Sequence, residues 1–110
     1  MKIKTSDLTG TALDWAVAKA AGYTGDALKE RSDGVWYTPS TNWAQGGPIV
    51  GRERMEFEFD YQDKVGPYKA ISVDDDNCYF ASGPTHLIAA MRCYVASKLG
   101  DEVEVPDELA

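Results

Sequence analysis

The stretch YTPSTNWAQGGPIVGRE, from Tyr37 to Glu53, holds the densest set of residues able to do chemistry. Ser40, Thr41, Asn42 and Gln45 offer hydrogen-bond donors and acceptors of both kinds. Tyr37 and Trp43 offer flat faces on which a base could stack. Gly46 and Gly47 allow close backbone approach, and Pro48 stiffens the exit. The stretch has too many breakers for a helix and no clean alternation for a strand, so a loop is expected. Such a loop suits one wall of a ligand pocket. Packing explains any single residue in it better: Trp43 would anchor the loop on the core, and the polar groups would satisfy its own backbone.

A second feature is SGPT, residues 82–85, at the start of a strong helical pattern. The first N–H groups of a helix lack partners and carry partial positive charge, so they suit a phosphate or carboxylate. Gly83 and Thr85 would then form the floor of the same pocket. Ordinary capping also explains Ser82 and Pro84, and the spacing of a P-loop is absent. The third feature is Arg92, set among Ile88, Val95 and Leu99. A guanidinium there needs a partner or a path to solvent. It either pairs with Asp14 on the first helix or forks onto a ligand phosphate, and Asp14 could orient it for that task.

Catalysis has little support. His86 has no nucleophile motif beside it and is expected at the surface. DDDN at 74–77 lacks the glycine and distant glutamate of an EF-hand, and a solvated hairpin turn explains it. Cys78 and Cys93 lack Cys-x-x-Cys spacing and read as buried free thiols. No catalytic residue, metal or cofactor is therefore assigned.

These residues need elements to place them. Leu8, Ala12, Trp15, Ala16 and Ala20 recur at helical spacing, predicting a helix near 11–21 with Trp15 buried. Residues 27–30 could form a helical turn, 35–37 a short strand, and Trp36 belongs to the core. MEFEF (55–59) alternates apolar and acidic residues, a strand signal. YKAISV (68–73) and CYFAS (78–82) flank a turn and should pair antiparallel. Leu87, Ile88, Met91, Tyr94, Val95 and Leu99 predict a helix over 84–99, with Pro84 at its first position and Ser82 or Gly83 as cap. DEVEVPDELA is an acidic tail, extended or loose. The expected fold is α+β: a small antiparallel sheet of three to five strands packed with two main helices, near 11–21 and 84–99.

At 110 residues the chain is expected to form one domain, 1–110, with the tail at 101–110. Its 44% apolar content is that of a globular protein, and no apolar run approaches a membrane span. The N-terminus has no signal-peptide core, so a cytoplasmic protein is expected. The formal charge of −7 repels phosphate backbones and argues against general nucleic-acid binding. A small anion remains compatible, since its site needs only local positive potential.

Three stretches in combination, TSDLTGTALDWAVAKA, YTPSTNWAQGGPIV and GPTHLIAAMRCYVASKLGDEVEVPDEL, resemble the small phage-encoded NinX-like proteins of tailed phages and prophages. The resemblance implies a phage origin, an accessory role and the host cytoplasm as location. It supplies no activity. The combined expectation is a protein that binds a small nucleotide-like molecule without turnover, through Tyr37, Ser40, Thr41, Trp43, Gly83, Thr85 and Arg92. Sequestration of a host immune signal would be one use. The rival is an acidic, DNA-mimic-like protein that blocks a host protein. An enzyme acting on a nucleotide ranks third. A pocket this small could need a second subunit, so a homo-oligomer is also expected.

Overall fold

The computed structural model describes residues 1–22, 37–74 and 76–109. The expectations for 27–30, Val35 and Trp36 fall outside these residues. Among the described residues, three α-helices and five short strands are arranged as an α+β fold: β1 (Lys2–Lys4), α1 (Gly10–Ala20), α2 (Trp43–Arg52), β2 (Glu56–Phe59), β3 (Tyr68–Val73), β4 (Cys78–Gly83), α3 (His86–Leu99) and β5 (Glu102–Glu104).

Strands β2, β3 and β4 form one antiparallel sheet in that order. The pairing sets Phe57, Ala70 and Ala81 in one row, and Phe59, Tyr68 and Gly83 in another, on the face toward α3. Glu56, Ile71 and Phe80 share a row on the opposite face. The β2–β3 connection is shaped by Asp63, which accepts from the N–H groups of Val65 and Gly66 and from Lys69 Nζ. These bonds pull its carboxyl down to about 2, the Gly66 N–H contributing most.

The acidic tail supplies β5, which pairs antiparallel with β1. Ile3 lies opposite Val103, while Lys2 and Lys4 lie opposite Glu104 and Glu102. Opposite charges directly across a pair favour this register.

α3 lies at the centre. Ala89, Ala90, Met91, Cys93 and Val95 are fully buried, because β3 and β4 cover one side of the helix and α1 and α2 cover others. Trp15 is half-buried against the same core, with Lys19 Nζ 5.1 Å from its ring centre. Cys93 is buried as expected, whereas Cys78 is exposed at the start of β4.

The segment expected to be a loop contains α2. Asn42 caps it by accepting from the Ala44 N–H at 2.9 Å. Pro48 sits inside the helix and removes one ladder bond. Tertiary contact compensates. Gly46 is buried so tightly that an added Cβ would strike the Pro39 carbonyl and lie 2.8 Å from a Leu87 methyl. Ile49 is buried on the same side. The helix closes with two bonds, Arg54 N–H to Gly51 and Met55 N–H to Val50, and Arg54 takes the positive φ usual for glycine there. Likewise, α3 starts two residues later than expected. Thr85 is its cap, accepting from the Ile88 N–H, and Pro84 precedes the helix.

Two substitutions check this packing. Met91→Ala should cost about 2–5 kcal/mol in denaturant unfolding, and a cost near zero would place Met91 outside the core. Gly46→Ala should also destabilise, since the Pro39 carbonyl is backbone and cannot swing aside; an unchanged midpoint would refute the close α2–α3 contact.

Candidate functional site

The starts of α2 and α3 converge. Ser40, Thr41 and Trp43 on one side, and Thr85, His86, Leu87 and Ile88 on the other, line a cavity of about 270 Å³. The local sequence explains each position. Asn42 and Thr85 are caps, so the residues beside them stand at helix mouths. Thr85 Oγ1 satisfies Ile88, but the N–H groups of His86 and Leu87 precede the first intrahelical bond, from Ala89 to the Thr85 carbonyl. Each helix start also contributes the positive end of its dipole, roughly half a charge.

Rings border the cavity. Trp43 is 55% exposed and does not anchor the core. His86 is exposed at the surface as expected, yet it is held among rings. Its centroid lies 4.2 Å from Tyr68, 5.1 Å from Phe57 and 6.4 Å from Trp43. The ring row runs on from Tyr68 through Phe59 to Tyr61.

Beneath the cavity lies Asp14 on α1, a 5% exposed carboxylate that accepts from the Ser40 N–H at 2.8 Å. Burial raises its pKa above the ordinary value, and the Ser40 hydroxyl and N–H partly oppose that rise. The hydroxyl lies near the carboxylate without reaching hydrogen-bond geometry. Ser40 Oγ is buried without a hydrogen-bond partner.

Asp14 and Arg92 do not pair. Arg92 Nε donates to the Leu8 carbonyl at 2.8 Å and Nη1 to the Ser82 carbonyl at 2.9 Å. The guanidinium thus ties the segment before α1 to β4. Burial lowers its pKa, and the field of Asp7 opposes the shift. Charge matching suggested the carboxylate, but a five-donor fork serves stranded carbonyls equally well.

Of the residues singled out in the sequence, the structure therefore brings Ser40, Thr41, Trp43 and Thr85 together. Tyr37 is buried and faces a separate cavity of about 570 Å³, shared with Pro48, Ile49 and Tyr94. Gly83 is buried under Ala89 and Ile88, where a Cβ would lie 2.8 Å from the Ala89 nitrogen. Arg92 lines neither cavity. His86, Leu87 and Ile88 complete the lining, and Asp14 holds Ser40 from behind it. The alternation of Phe57, Phe59 and Tyr68 could have placed rings beside the α3 start.

These features define a small α+β domain with one cavity at the meeting of two helix N-termini. The chain belongs to the family described as Bacteriophage P22, NinX, whose model matches residues 4–98. No curated protein matches the chain. No helix among the described residues is long and apolar enough to cross a membrane.

Asp14 gives a pH signature. A carboxyl whose pKa is raised by folding binds its proton more tightly in the folded state, so its ionised form opposes folding. That cost is absent below the unfolded pKa of about 4 and complete above the raised folded value. Asp14→Asn removes the titration while keeping an acceptor for Ser40. Whatever its offset, the melting midpoint of Asp14→Asn relative to wild type should climb from about pH 4 to pH 7. A difference that stays flat would contradict the buried, raised carboxyl.

Proposed function

We propose that this protein binds a small anionic molecule with a planar ring, of the nucleotide class, without turning it over. The site is the cavity between the starts of α2 and α3. The observation that carries this reading is the convergence of two helix N-termini on a space bordered by Trp43 and His86. None of the seven lining residues is a carboxylate. The two helix starts would supply positive local potential in a chain of net charge −7, with the Asp14 carboxylate set behind Ser40 rather than in the lining.

Size narrows the ligand. About 270 Å³ lies just under the usual range for small-molecule sites, roughly 300–1,000 Å³. It suits one ring and one phosphate. Trp43 would stack on the ring, the free amides of His86 and Leu87 would take the anion, and Thr41 and Thr85 would orient it. The lining supports binding over turnover. His86 is the one candidate base there, and no carboxylate lines the cavity to orient it. In an infected cell such a binder would act by holding a host signalling nucleotide away from its receptor.

Calorimetry with a panel of nucleoside monophosphates and cyclic nucleotides tests the reading. Trp43→Ala should weaken binding by about 1–3 kcal/mol, the scale of a base–aromatic stack. It should stay folded, since Trp43 is exposed. Thr41→Ala should weaken binding by about 0.5–1.5 kcal/mol. No heat with any member of the panel, or unchanged affinity in Trp43→Ala, would exclude the site.

A further inference from the structure

The sheet face away from α3 and the free edge of β4 are distinct from the cavity. On that face Phe80 is 75% exposed and Val73 65% exposed, with Ile71 and Cys78 beside them. Among the described residues, no strand pairs with the outer edge of β4.

The hairpin register shows which backbone groups point outward. The turn closes with the Asp74 N–H donating to the Asn77 carbonyl at 2.9 Å. Alternation from that bond turns the N–H and C=O groups of Tyr79, Ala81 and Gly83 toward β3, and those of Cys78, Phe80 and Ser82 away from it. The Ser82 carbonyl is occupied by Arg92. Among the described residues, the outward backbone groups of Cys78 and Phe80 meet no partner at this edge.

Exposed edges usually carry charges, prolines or bulges that block pairing. The other edge of this sheet does so, since β2 carries Glu56 and Glu58. β4 carries none of these over its whole length, Cys78 to Gly83. We infer that β4 is an assembly edge and that its occupant is β4 of a second copy of this chain, joined antiparallel about a two-fold axis.

A second copy fits for two reasons. The chain is strongly acidic, so most of its faces repel themselves, but this strand is uncharged and can meet its own kind. The edge is also self-complementary. With Tyr79 opposite the partner's Tyr79, Cys78 and the partner's Phe80 exchange both backbone bonds, and the reciprocal pair does the same. In this register Asp76 of the acidic turn comes opposite the partner's Ser82, where the partner's Arg92 carries positive charge. The two outer faces then join, and the Phe80 rings cover one another's apolar strip. This assembly owes nothing to the ligand cavity, which each copy keeps whole.

Sedimentation or light scattering over a micromolar concentration series tests the inference. The wild type should show twice the 12.0 kDa chain mass, and Phe80→Lys should run as a monomer with unchanged circular dichroism. Glu56→Gln with Glu58→Gln, on the guarded edge, should leave the dimer intact. A short bis-maleimide should link Cys78 to the partner's Cys78 in wild type but not in Phe80→Lys, Cys93 being buried. A wild type that stays monomeric throughout, or a Phe80→Lys variant that still dimerises, would overturn the proposal.

Discussion

A helix apolar around nearly all of its circumference must be covered on every side, and α3 imposes that demand on the rest of the molecule. Its alanines, Met91 and Val95 all lie in the one core that the sheet and the other helices share. Arg92, the one charged residue in its middle, sits where cover changes from sheet to N-terminal segment, and its fork satisfies a carbonyl on each. Without it, two partly buried carbonyls would lack those bonds, at about 1–3 kcal/mol each.

The geometry of the cavity follows from that packing. α2 can bring Trp43 to the α3 start only because Gly46 lets its backbone rest on Pro39 and Leu87. Asp14 fixes the approach from α1 by holding the Ser40 amide. Each contact is local and ordinary. Their joint effect is to aim two helix dipoles at one space, which no single segment could do. Helix dipoles act within the first turn, whereas screened surface charges sit farther away, so the two helix starts weigh more at the cavity than the exposed acidic residues do.

Periodicity made much of this legible. α1, α3 and strands β3 and β4 carry helical or alternating patterns that burial follows, whereas β2 alternates yet stays near the surface, Phe59 being 47% exposed. α2 was hidden because its three glycines and Pro48 read as breakers, and the contacts that favour glycine at 46, with the Pro39 carbonyl and Leu87, are tertiary. Asn42 followed three residues later by Gln45 was the available helix-start signal. The pairing of Asp14 with Arg92 failed for a different reason. Sequence displays charges but not which main-chain carbonyls will be stranded, and the Leu8 and Ser82 carbonyls are the acceptors that Arg92 meets. Half of the cavity wall could be read from hydroxyls and Trp43. Tyr37 and Gly83 look chemically suitable in a string of letters, but burial turns them elsewhere.

The β1–β5 ribbon has a consequence for how the molecule is made. Residues 2–4 find their partners only at 102–104. A nascent chain leaving the ribosome therefore carries its first strand unpaired for nearly the whole of translation. The helices and the three-stranded sheet can collapse around α3 beforehand, since their contacts are closed by residue 99. Zipping the ribbon would then be the final event, a latch set on an already folded body. Removing residues 101–110 would take Val103 and Val105 out of the core and leave the first strand loose, exposing Ile3 to the solvent or to a neighbouring chain.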